Sequence, residues 1–170
     1  MKLLFISLGC DKNLVDSEEM LGMLAADGHE IVDDEDEAEV IIVNTCCFIG
    51  DAKEESVNTI LEMAEKKKAG TCKVLIVTGC MAQRYKKEIS EEIPEVDAIL
   101  GTTSYGEISK AVKEAQAGRH FEEYKSIDFL PDISGKRMLT TGGHFAYLKI
   151  AEGCDKHCTY CIIPSLRGSY

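Results

Sequence analysis

Apolar residues fall along the chain in two alternating rhythms. Residues 2–8, Glu39–Asn44, Lys73–Thr78 and Val96–Leu100 are short, near-continuous runs dominated by Leu, Ile and Val. Runs of that length without polar alternation fit parallel strands buried on both faces. His29–Val32 is a further short candidate. Between the runs, apolar residues recur at helical spacing. Asp16-Ser17-Glu18-Glu19 opens a helix carrying Met20, Leu21, Met23 and Leu24, which stops near Asp27-Gly28. A longer helix spans Asp51–Lys68, with Val57, Ile60, Leu61 and Ala64 on one face. It ends in Lys66-Lys67-Lys68 and Gly70, positive charge in the last turn followed by a glycine stop. Met81–Ile89 and Ser104–Ala117 follow, the latter closed by Gly118.

Strands alternating with helices predict an α/β fold: a three-layer, doubly wound, mostly parallel sheet of the flavodoxin or Rossmann kind. It occupies residues 1–118. Residues 119–143 are weakly patterned and read as a linker or arm with a small hairpin. After Gly142-Gly143, Phe145–Ile150 reads as a new strand, so residues 144–170 look like the opening of a second, truncated unit. Such a strand, without neighbours to bury Phe145, Tyr147, Leu148 and Ile150, either stays disordered or finds another partner, lying against the first domain or pairing with a second chain.

Composition narrows the function. A chain of 170 residues, 45% hydrophobic and 29% charged, can bury a real core. The net charge of −11 argues against direct binding of a nucleic-acid backbone, which needs clustered Lys and Arg. The acidic runs Asp33–Glu37 and Glu91-Glu92 read as solvated turns. The start, Met1–Cys10, has the outline of a lipoprotein signal, but its apolar run Leu3–Ile6 is too short and reads as a buried strand. No stretch is long enough to span a membrane. Gly101–Gly106 has the outer spacing of a P-loop, yet Glu107 stands where lysine is needed.

Eight cysteines are a high count. With good strands and helices and no signal peptide, a metal or redox role in a reducing cytoplasm leads over a disulfide scaffold. Cys10, Cys46 and Cys80 each follow a predicted strand, so three scattered thiols arrive at the carboxyl edge of one sheet, where open parallel sheets bind ligands. Gly9 and Gly79 allow tight turns before two of them, and nearby helix N-termini favour thiolates. Cys72 precedes a strand and reads as structural; Cys47, adjacent to Cys46, reads as a non-ligand. Cys154, Cys158 and Cys161 form a C-x-x-x-C-x-x-C loop after the last predicted strand. Zinc would need a fourth ligand, and His157 is the nearest but sits poorly inside the loop. An iron–sulfur cluster tolerates three protein ligands and one open iron. Lys12 and Asn13 fit either a functional role or a polar turn.

Ser7–Glu18, Val43–Cys46, Val77–Arg84 and Glu152–Pro164 together resemble the signatures of the methylthiotransferase family of radical S-adenosylmethionine enzymes. The stretch Gly9-Cys10-Asp11-Lys12-Asn13 is similar to the branch that modifies an aspartate of the twelfth small-subunit ribosomal protein. The other branch modifies an adenosine in transfer RNA. Cys47 departs from the family pattern. The resemblance implies two [4Fe–4S] clusters, one on Cys10, Cys46 and Cys80 and one on Cys154, Cys158 and Cys161, each with an open iron. It implies that S-adenosyl-L-methionine binds the second, yields a 5′-deoxyadenosyl radical and activates the aspartate β-carbon, while the first delivers a methylated sulfur. It further implies a cytoplasmic enzyme with an external electron donor. Residues 1–118 would be its N-terminal methylthiotransferase domain and residues 144–170 the first strand and cluster loop of its radical partial barrel, inactive alone. Outside the resemblance, a non-catalytic zinc or redox module on the same sheet is the alternative.

Overall fold

The structure is a computed structural model that describes residues 1–131 and 137–170. Its centre is a six-stranded sheet: β1 (Lys2–Ser7), β2 (Glu30–Ile31), β3 (Val40–Thr45), β4 (Val74–Gly79), β5 (Ala98–Leu100) and β6 (Phe121–Glu123). The spatial order is β2-β1-β3-β4-β5-β6, and every neighbouring pair is parallel. The helices are α1 (Asp11–Ala26), α2 (Gly50–Ala69), α3 (Cys80–Arg84), α4 (Lys86–Glu92), α5 (Ile108–Gln116) and α6 (Ile163–Arg167). The predicted three-layer α/β fold is present.

The two rhythms of the sequence explain the layers. Every residue of β3 and β4 is buried, because both faces of the sheet are covered. Side chains alternate between faces along a strand. Ile41, Val43, Leu75, Val77 and Ile99 meet Ile60 and Met63 of α2 and Met81 of α3 on one face. Val40, Ile42, Val74, Ile76 and Leu100 meet Met20 and Leu24 of α1 and Ile108 and Val112 of α5 on the other. Each fully buried side chain of this size contributes roughly 1.5–3 kcal/mol, so the central strands hold the frame on which the carboxyl edge is built.

Four expectations need correction. Helix α1 begins at Asp11, five residues before the expected Asp16, because Asn13, Asp16 and Ser17 turn inward beneath the strand ends. The helix expected over Met81–Ile89 is interrupted at Tyr85, whose φ of −115° and ψ of 34° separate α3 from α4. The start of the expected linker is a strand: Phe121 donates to Asp97 O at 3.0 Å and Gly101 to Glu123 O at 3.0 Å, adding β6 to the sheet edge. Three residues are too short to show periodicity. Phe145–Ile150, expected as a strand, forms no β-ladder; it lies along α1, with Tyr147 O held by Arg137 Nη1 at 2.7 Å and Leu148 82% exposed. The small hairpin expected in the linker falls partly outside the described residues.

Glu18 anchors the chain leading into that segment. Its wholly buried carboxylate accepts from Thr140 N at 2.6 Å, Thr140 Oγ1 at 2.9 Å and Arg137 Nε at 2.7 Å. Burial alone would raise its pKa, but these donors more than offset it and hold the carboxyl below the ordinary value. A depressed folded-state pKa stabilises the attachment above the unfolded value of about 4.5, and that stability is lost as pH falls through the folded value. Glu18→Gln is therefore expected to weaken Thr140 amide protection at neutral pH and to remove its loss on acidification. Hydrogen exchange from pH 7 to 3 checks this; equal acid sensitivity in the variant would contradict it.

Candidate metal centre

The strand order reverses between β1 and β3, and ligands of open α/β sheets bind at the carboxyl ends at such a point. Ser7 pairs with Asn44, and Asn44 with Thr78, so β1, β3 and β4 end level with one another. Cys10, Cys46 and Cys80 leave these three adjacent strands within three residues of that register. Neighbouring strands are ~4.8 Å apart, which brings three sequence-distant thiols to one edge. Cys10 is exposed as the N-cap of α1; Cys46 and Cys80 are buried.

Two glycines shape the turns. Gly9 has φ of +93°, and a Cβ there would lie 2.6 Å from Cys46 Cβ and 2.8 Å from Cys46 Sγ, so the β1 loop rests directly on Cys46. Gly79 has φ of +93° and ψ of −159°, a region open only to glycine. A Cβ there would meet Asn44 Oδ1 at 2.3 Å and Thr45 O at 2.5 Å.

Polar side chains tie the strand ends together. Asn13 Nδ2 donates to Leu8 O at 2.9 Å and Thr45 O at 2.8 Å. Asn44 Nδ2 donates to Asn13 O and to Ser17 Oγ, both at 2.9 Å. Ser56 Oγ on α2 accepts from Cys46 N at 3.0 Å and donates to Cys46 O at 2.8 Å. The Cys80 thiol faces Asn13 Oδ1 at 3.9 Å. Burial pushes the Cys80 thiol up, and Arg167 opposes the rise.

The C-terminal segment docks on this edge through a closed ring of four buried charges. Lys149 Nζ lies 2.5 Å from Asp16 Oδ1 and also pairs with Glu152 Oε1. Arg167 Nη1 lies 2.8 Å from Asp16 Oδ2 and 3.0 Å from Glu152 Oε2. Burial works against the Lys149 ammonium, and the two carboxylates outweigh it and raise its pKa. Lys12 Nζ donates to Glu152 O at 2.6 Å, and Thr102 Oγ1 to Leu166 O at 2.8 Å.

That ring sits at the base of the second cysteine loop. Gly153 N donates to Ser169 O and Cys154 N to Gly168 O, both at 3.1 Å. Above this closure Cys154 and Cys161 are half-buried and Cys158 is exposed. Lys156 N donates to Cys154 Sγ at 3.4 Å.

All eight cysteines are free. Among the described residues no group of three His, Cys, Asp or Glu side chains is closed to metal-binding geometry. The donor sets nonetheless fit iron–sulfur clusters with one open iron: three thiols on three adjacent strand ends, and three on one loop. Closing thiols onto a metal is coupled to binding. Cys47 instead packs in the core with Val77 and Met81, and burial pushes its thiol up to about 11. Cys72 lies at the amino end of β4, its thiol 3.0 Å from Val74 O. Cys47→Ala and Cys72→Ala are expected to keep the iron uptake of the parent chain while Cys46→Ala loses the first set's share. Equal losses in Cys47→Ala and Cys46→Ala, measured after anaerobic reconstitution, would reassign the ligand.

Sequence reasoning missed Asp16, Glu18, Lys149, Glu152 and Arg167 as parts of this edge. One signal was available. Asn13, Ser17, Met20 and Leu24 lie on one helical stripe, which puts polar side chains on the buried face of α1. A buried polar group needs a partner, but nothing in the local pattern points to Arg167, more than 150 residues away.

The family described as "Uncharacterized protein family UPF0004" matches residues 2–101. "Ribosomal protein uS12 methylthiotransferase RimO" of Lachnoclostridium phytofermentans is 63% identical over 170 residues, covering 100% of this chain and 39% of that protein. Its namesake from Clostridioides difficile is 52% identical, covering 100% and 38%, and that of Trichlorobacter lovleyi 51%, covering 99% and 38%. The chain thus spans less than two-fifths of the length of these curated relatives. With the match covering β1 through β5 and all three strand-end cysteines, the chain belongs to the family described as UPF0004.

Proposed function

We propose that this chain is part of a radical S-adenosylmethionine methylthiotransferase that modifies the β-carbon of an aspartate in the twelfth small-subunit ribosomal protein. The observation that carries the reading is the convergence of Cys10, Cys46 and Cys80 on three level strand ends, with the Cys154/Cys158/Cys161 loop docked beside them. The names of the relatives at 51–63% identity support it.

In this reading Cys10, Cys46 and Cys80 hold one [4Fe–4S] cluster, and Cys154, Cys158 and Cys161 hold the other. When bound, the two clusters and S-adenosyl-L-methionine supply radical activation of the aspartate and the methylthio group. The chain's own residues set the stage. Gly9 and Gly79 turn the backbone so that Cys10 and Cys80 face the edge, and Asn13 and Asn44 lock the strand ends with buried hydrogen bonds. The closed backbone base at Gly153 and Cys154 leaves Cys158 exposed to an incoming cosubstrate.

The excess of 30 acidic over 19 basic residues suits a basic ribosomal protein and disfavours direct nucleic-acid contact by these residues. No helix among the described residues is long and apolar enough to cross a membrane. A reducing cytoplasm with an external electron donor is the setting in which free thiols of this number persist. Mass spectrometry in a strain lacking the gene tests the substrate. Loss of the methylthio mass from the ribosomal protein is expected. An intact ribosomal protein with loss of a methylthio nucleoside from transfer RNA would overturn the reading.

A further inference from the structure

Arg167 belongs to both cysteine neighbourhoods at once. Its guanidinium is 2% exposed. Nη1 binds Asp16 on α1 and Glu152, two residues before Cys154. Nη2 donates to Asn13 Oδ1, the same oxygen that the Cys80 thiol faces at 3.9 Å. One rigid fork therefore connects the base of the second cysteine loop to a side chain that faces Cys80. We propose that Arg167 is a positioning residue that seats the Cys154 loop against the strand-end cysteines and sets the reduction potential of the cluster they hold, through its fixed positive charge. The proposal rests on the ligand reading of Cys10, Cys46 and Cys80.

The ring geometry supports a directional field. Asp16 and Glu152 balance Lys149 and Arg167 in formal charge, but the two cations have different further partners. Lys149 Nζ turns toward Tyr105, 3.4 Å from its hydroxyl and 5.0 Å from its ring centre. Arg167 turns toward Asn13 and Cys80. Burial disfavours the Arg167 charge, and the Asp16 and Glu152 carboxylates at 2.8 and 3.0 Å outweigh it. At a buried position water screens little. Packing alone would be served by an apolar side chain, whereas a fork that binds three acceptors on two elements fixes orientation. Net charge and hydrogen bonding around the sulfurs set cluster potentials, and a nearby cation favours the reduced, more negative state.

The test uses the 170-residue chain carrying Cys154→Ala and Cys158→Ala, which leaves only the first site able to hold a cluster. Each protein is reconstituted with iron and sulfide under argon. The readouts are iron content, thermal midpoint, amide exchange at Gly153 and Cys154, and an electron-paramagnetic-resonance redox titration. Arg167→Gln is expected to shift the midpoint potential to more negative values, and Arg167→Lys to recover most of that shift. A chain with citrulline at position 167, made by ligating a synthetic peptide at Cys161, keeps the shape without the charge. It should retain amide protection yet show the negative shift, and it decides the question if Arg167→Gln fails to fold. An unchanged potential in the citrulline protein, or a Lys variant no different from Gln, overturns the role of the charge. A parent that takes up no iron and sulfide instead overturns the ligand reading, and the proposal with it.

Discussion

Gly79→Ala is expected to destabilise the chain by at least ~3 kcal/mol and to cost the first cysteine set its iron. The backbone at Gly79 sits at φ of +93° and ψ of −159°, where a side-chain-bearing residue stores about 1–3 kcal/mol of strain. The added methyl would also stand 2.3 Å from Asn44 Oδ1, 2.5 Å from Thr45 O and 2.8 Å from Thr45 N. Two of those three atoms are backbone of the neighbouring central strand and cannot swing away. Relief requires the β4 turn to move, and Cys80 is the next residue. For a chain of this length the loss corresponds to a fall in thermal midpoint of about 6–12 °C. Calorimetry with iron analysis checks both effects. A variant with an unchanged midpoint and full iron uptake would contradict the account of the turn.

Asp16→Ala is expected to release the C-terminal segment from the sheet edge. The substitution leaves Lys149 and Arg167 facing Glu152 alone in a buried site. Removing one partner from a buried charge pair costs about 3–5 kcal/mol. The segment has a cheaper escape than global unfolding: residues 149–167 can undock and return both cations to water. Amide protection at Gly153 and Cys154 should therefore collapse, while β3 and β4, buried on both faces, keep theirs. Hydrogen exchange separates the two regions. Loss of protection throughout the sheet would show that the ring supports the whole fold; unchanged protection at Cys154 would show that it does not hold the loop.

The sheet was legible because burial on both faces writes itself into the sequence. Val40–Val43 and Val74–Val77 contain no polar residue, and their runs predict the strands within a residue or two. The positions of Cys10, Cys46 and Cys80 follow from those strands, since a thiol just past a parallel strand must emerge at the carboxyl edge. The early start of α1 was hidden because its first turns are polar on the inward face. Asn13, Asp16 and Ser17 are buried by hydrogen bonds and charges to distant partners, not by apolar contact. β6 was hidden by brevity, and its partner Ala98–Leu100 supplies the pairing that its own residues do not announce. Phe145–Ile150 read as a strand because Phe145, Tyr147, Leu148 and Ile150 are apolar. Here these side chains are exposed, and the segment is held instead by Arg137 and Lys149.

The most direct measurement is iron and acid-labile sulfide per chain after anaerobic reconstitution, with Cys154, Cys158 and Cys161 replaced by Ala so that the strand-end thiols stand alone. Iron and sulfide in equal amounts, about four of each per chain as a [4Fe–4S] cluster requires, are expected, falling to background when Cys10, Cys46 and Cys80 are also replaced. Zinc bound without sulfide, or iron that survives loss of all three strand-end cysteines, would contradict the account.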